Sequence, residues 1–98
     1  MGYDYIVFKS GVWENGTWDD GIWRDGTWKK GTWENGYWEK GTWKNGKWFD
    51  GYWKNGTWEN GTWYDGVWAE GDWIHGTWYN GTDGVRNQHG KDDSPDKW

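Results

Sequence analysis

The side chains able to do chemistry are carboxylates, two histidines and an unusual number of indoles: the 98-residue chain carries 16 Asp and Glu, 11 Lys and Arg, two His, 15 Trp and no Cys. Adjacent acids stand at Asp19–Asp20 and Asp92–Asp93. General acid–base work needs two carboxyl groups converging on one substrate atom, whereas neighbours on an extended backbone point apart. His75 and His89 lie fourteen residues apart with no thiol near them, which is not metal-ligand spacing. The many glycines lack the Gly-Lys-Ser/Thr ending that turns a glycine-rich loop into a phosphate cradle. Four Asn-Gly-Thr sequons, at Asn15, Asn55, Asn60 and Asn80, follow from a repeated corner sequence and do not require glycosylation. These residues predict no catalysis, no metal site and no cofactor.

The elements that must position these groups follow from one period. Gly recurs at every fifth residue, as Gly11, Gly16, Gly21, Gly26, Gly31, Gly36, Gly41, Gly46, Gly51, Gly56, Gly61, Gly66, Gly71, Gly76 and Gly81. Two residues after each of the first fourteen stands a tryptophan: Trp13, Trp18, Trp23, Trp28, Trp33, Trp38, Trp43, Trp48, Trp53, Trp58, Trp63, Trp68, Trp73 and Trp78. Fourteen Gly-x-Trp-x-x units fit neither the 3.6-residue helix nor the heptad, and a Gly in each would cost a helix about 1 kcal/mol per unit. The residue before Trp is Thr at seven positions and otherwise often Val, Ile or Tyr, a strand composition, and the residue after Trp is usually charged. Alternation along a strand then turns Trp and Gly inward and both neighbours of Trp outward. Asn or Asp fills the fifth position in ten of fourteen units, and Asn, Asp and Gly are the residues that accept positive φ in corners. Each unit reads as one short strand and one corner, in an all-β tandem array.

Two stackings compete. Trp13-Glu-Asn-Gly-Thr-Trp18 reads locally as a two-residue hairpin, which would build an antiparallel, Trp-zipper-like meander. In an antiparallel ladder, however, the N–H and C=O of a residue face the same neighbour, so identical hairpins cannot follow one another at a period of five. A parallel β-solenoid carries no such restriction and is the expected fold, with the meander as its alternative. Burying an indole contributes about 4 to 6 kcal/mol at ~25 cal/mol/Å², close to the ~7 kcal/mol needed to order five residues. A unit with an exposed Trp would not hold, so Trp43 and Trp48 are expected fully buried, with their indole N–H groups bonded to corner carbonyls.

On these residues the array resembles the pentapeptide-repeat proteins, with Trp13, Trp18 and Trp23 in the large inward position and Gly11, Gly16 and Gly21 in the small one. The resemblance covers residues 11–81 and implies a four-sided coil, with Trp residues twenty apart, such as Trp13 and Trp33, as vertical neighbours. The chain departs from the family's usual Leu or Phe with Ala. The units are also similar to Trp-rich arrays of tailed-phage structural proteins, and Gly41 to Gly46 is similar to the core of a MORN repeat, though the longer MORN unit is missing.

Three regions follow: a capping strand over 1–10, with Tyr3–Phe8 as its apolar part; the repeat array over 11–81; and a polar C-terminal tail over 82–98. The net charge of −5 and the scarcity of adjacent cations argue against nucleic acid as a partner. No apolar run has the length of a membrane span or a secretory signal, so neither membrane nor export is expected, and the localisation stays open. The expected role is a non-enzymatic structural or assembly protein, a virion or filament component, acting as a homo-oligomer or with a structural partner through the non-repeat ends. The alternative is a binding module that uses Trp or the outward face, for carbohydrate or as a DNA mimic. Rows of outward Thr also raise ice binding, which the charged neighbours of Trp oppose.

Overall fold

The computed structural model describes residues 6–83 and 87–88. Among them every strand is two residues long, seventeen in all, and every strand pairing is parallel. The strands build three sheets that close into a three-sided solenoid. The first face stacks Val7–Phe8, Ile22–Trp23, Tyr37–Trp38, Tyr52–Trp53, Val67–Trp68 and Thr82–Asp83. The second face runs from Val12–Trp13 to Asn87–Gln88, and the third from Thr17–Trp18 to Thr77–Trp78. Two strands inside the region expected as a tail, Thr82–Asp83 and Asn87–Gln88, pair with Val67–Trp68 and Asp72–Trp73 and so continue the ladder. The expected cap falls partly outside the described residues, which begin at Ile6.

The parallel solenoid is the expected fold, but its coil is smaller than the family resemblance implies. Trp13 registers on Trp28, and Trp18 on Trp33, so a coil holds fifteen residues and three units, not twenty and four. The antiparallel pairing of Trp13 with Trp18 does not occur. Indole size accounts for the difference. In one coil Trp33, Trp38 and Trp43 meet edge to face, with centroids 5.8, 5.8 and 6.5 Å apart and planes crossing at 69–74°, and this triangle closes around the axis. Edge-to-face contact is a favoured aromatic geometry, and a fourth side would force the rings apart around a central void.

Backbone bonding repeats from Trp28 to Trp78. The residue before each Trp there donates to a Gly carbonyl sixteen residues earlier, and the residue after it donates to a Trp carbonyl sixteen earlier, as in Thr42 N to Gly26 O at 2.9 Å and Lys44 N to Trp28 O at 2.8 Å; around Trp23 the acceptors are Ile6 and Phe8. Corners rest on glycine. Gly46 has φ of +126°, and a Cβ there would run into the Gly31 carbonyl oxygen of the preceding coil. No described residue other than Gly takes positive φ, so Asn and Asp do not serve the corner in that way. Their side chains act instead: Oδ1 of Asp20, Asp25, Asn45, Asp50, Asn55 and Asp65 each accepts the N–H of the following Gly at 2.8–2.9 Å.

Candidate interaction surface

The indoles leave the interior closed. From Trp23 to Trp73 every Trp of the array is 0% exposed, while Trp18 and Trp78 show 3%. Each stacks on the Trp fifteen residues away, with planes within 7° of parallel and centroids 4.6–5.0 Å apart. Phe8 extends one column, stacked on Trp23 at 4.1 Å, and Trp13 is half-buried. The N–H expectation holds in part. Trp38 and Trp63 donate to the carbonyls of Asn55 and Asn80 at 3.1 Å. The Nε1 groups of Trp43 and Trp48, although buried, complete no such bond.

The groups singled out for chemistry lie on the outside, where they are scattered. Asp20 sits on a corner with Oδ1 held by the Gly21 N–H, while Asp19 precedes it on the third face. His75 occupies another corner, and no cluster of three or more His, Cys, Asp or Glu suited to a metal ion exists among the described residues. Asp92, Asp93 and His89 lie outside the described residues. The Thr rows are short: Thr27, Thr42 and Thr57 on the second face end at Asp72, and Lys47 interrupts Thr17, Thr32, Thr62 and Thr77 on the third. Among the described residues no helix is long and apolar enough to cross a membrane.

Because the coil is fifteen residues, outward positions line up in columns that the five-residue period conceals. Ion pairs form along them: Glu14 with Lys29 at 3.6 Å, Arg24 with Glu39 at 3.8 Å and Lys44 with Glu59 at 3.4 Å. Aromatic rungs also form. Tyr37 stacks on Tyr52 at 5.2 Å, and Phe49, Tyr64 and Tyr79 stack in turn at 4.7 and 5.3 Å. The three edges of the solenoid consequently differ. The edge between the third and first faces carries Asp19, Asp20, Glu34, Asp50 and Asp65 with no cation among its described residues, and the aromatic rungs flank it. The next edge is mixed, with Arg24, Lys40 and Lys54 beside Asp25, Glu39 and Glu70, and the third carries Lys29, Lys30 and Lys44 with Glu14 and Glu59.

Beside the acidic edge runs an open groove of about 600 Å³ along the first face. Its floor is Ile22, Tyr37, Tyr52 and Val67, and its wall is Asp20, Asn35 and Asp50 with the corner glycines. Tyr52 is 38% exposed, and Ile22, Tyr37 and Val67 are half-buried. Sequence reasoning at a period of five does not group these residues. A search for apolar outward positions at a period of fifteen would have found Val7, Ile22, Tyr37, Tyr52 and Val67.

No family model, curated protein or solved structure matches this chain. The chain is a Trp-rich tandem-repeat β-solenoid of about five turns.

Proposed function

We propose that the protein is a non-enzymatic structural or assembly element, a rigid rod that presents three different faces to its partners, as in a virion or filament. The observation that supports this reading is the unbroken stack of fully buried indoles. Such a core commits the chain's largest apolar side chains to stiffness and fills the axis of the described coils with rings. The chain's likeness to pentapeptide-repeat proteins belongs to this reading at the level of the unit, with three units per coil in place of four. A carbohydrate platform is disfavoured because the indoles are covered and Tyr37 and Tyr52 turn their ring faces to each other. The acidic edge is what favours the second reading, a binding module or DNA mimic. Light scattering and negative-stain microscopy on the purified protein test the proposal. Salt-resistant oligomers or filaments support it, and a monomer that binds a soluble oligosaccharide or DNA-binding protein would replace it.

A further inference from the structure

The first face is apolar along its middle, with acids on one side and a mixed row of charges on the other, in which cations stand level with two of the acids. On the acidic edge Asp20 and Asp50 precede the strands Ile22–Trp23 and Tyr52–Trp53, and Arg24 and Lys54 follow those same strands. Coils with an acid on one side and a cation on the other complement themselves under a twofold axis parallel to the solenoid axis, because that operation brings the left side of one copy against the right side of the other at the same height. From these charges and the Tyr37–Tyr52 groove we infer that the first face is the interface for a second copy of this chain, docked side by side and parallel. The inference rests on the assembly reading above and names its partner.

Coil by coil, the parallel arrangement sets Asp20 against Arg24 of the second copy, Asn35 against Glu39 and Asp50 against Lys54, and symmetry repeats each pair. Turning the second copy upside down would set Asp20 against Asp65, acid on acid, twice, and leave Lys54 against Glu39 as the one opposed pair, where the parallel dimer has two. Opposed charges fix register and orientation more than they add affinity. Tyr is suited to the centre of such a contact because it adds large apolar area with a polar tip. Arg24 retains capacity for the contact: its side chain is 54% exposed, and its interaction with Glu39 spans 3.8 Å. The face is five coils tall at about 4.8 Å a coil and some 16 Å wide, roughly 400 Å² per copy, so the dimer belongs to the weak, reversible class. A reversible lateral contact suits a subunit that adds to a larger array.

The test is sedimentation of the full chain from micromolar to millimolar concentration. The double variant Tyr37→Lys with Tyr52→Lys removes the apolar floor, and it folds because Lys47 already occupies the equivalent outward position of its own unit. Wild type is expected to dimerise reversibly, and the double variant to weaken that dimer at least tenfold with unchanged Trp fluorescence. Lys54→Asp alone is expected to weaken it, and Asp50→Lys combined with Lys54→Asp to restore it; corners tolerate Lys, as Lys30 and Lys40 do. Restoration distinguishes the parallel dimer from the inverted one, in which the carboxylate introduced by Lys54→Asp would face Glu39 of the other copy and the swap could not restore it. If wild type oligomerises and the tyrosine variant leaves that unchanged, the interface is wrong and the assembly reading stands. A wild type monomeric throughout overturns both.

Discussion

Trp48 lies directly over Trp33, ring planes 6° apart and centroids 4.6 Å apart, although the two are separated by two further tryptophans in the chain. Each indole in the middle of the rod therefore has a parallel ring above, a parallel ring below and crossed rings on both sides. Replacing Trp43 by Ala removes a ring with all four kinds of contact, and unfolding in denaturant is expected to show a loss of at least about 3 to 5 kcal/mol. Trp13→Ala, at the half-buried end, is expected to cost less. Equal losses at both positions would mean that the stack adds nothing beyond local packing.

Gly16 and Gly46 share the same backbone conformation, at φ +117° and +126°, but not the same surroundings. A Cβ at Gly16 would meet only the Trp13 ring at 3.7 Å, whereas one at Gly46 would strike the backbone of the coil before it. Gly16→Ala is expected to cost the conformational strain alone, about 1 to 3 kcal/mol. Gly46→Ala is expected to cost clearly more, read as a larger drop in thermal midpoint. If the two midpoints fall together, φ alone dictates glycine at these corners.

The corner amide is served by a side chain at Asn45, whose Oδ1 accepts the Gly46 N–H at 2.9 Å. Asn45→Asp keeps the acceptor and should leave stability nearly unchanged, while Asn45→Ala should lose about 0.5 to 1.5 kcal/mol, the net value of such a bond. Chemical denaturation of the three proteins side by side decides the matter. A neutral Ala variant would show that water serves the amide equally well, as it must after Lys30 and Lys40.

Every unit is interchangeable to the core but not to the surface. Deleting residues 31–45 removes one full coil and keeps every outward column in line. Deleting residues 36–40 removes one unit, leaves the indole columns continuous and moves all later residues round by one face. Both deletions are expected to retain the β signal and cooperative unfolding. The five-residue deletion alone is expected to abolish the side-by-side dimer in sedimentation, since Tyr52 and Asp50 leave the first face. A five-residue deletion that unfolds the protein would show that the outward columns, and not only the indoles, hold the rod together.

Strand, corner and inward Trp were legible because each depends on residues within one five-residue unit. The number of units per coil was not, because it depends on how three indoles meet across the axis, a contact between separate units. The charges nonetheless carry that information. At a spacing of twenty, Arg24 would stand on Lys44, Glu39 on Glu59 and Glu14 on Glu34. At fifteen, Glu14 meets Lys29, Arg24 meets Glu39 and Lys44 meets Glu59, as observed. Exposed pairs of this kind stabilise little, about 0 to 1 kcal/mol each, yet their order along the sequence discriminates between the two coils. The groove at Tyr37 and Tyr52 was hidden for the same reason, since its residues become neighbours only once the coil length is known.

The bonds that flank each strand pair run from the N–H of a later residue to the C=O of an earlier one, as from Thr57 to Gly41 and from Glu59 to Trp43. A ribosome delivers residues in that same order. Each completed coil offers a rim of unpaired backbone groups and an open triangle of ring faces, and the next fifteen residues supply the partners and the rings that cover it. At about 5 to 20 residues per second, a coil is added every one to three seconds, far slower than the closure of so short a loop. The rod is thus suited to being laid down course by course during translation, with only its newest layer of indoles uncovered.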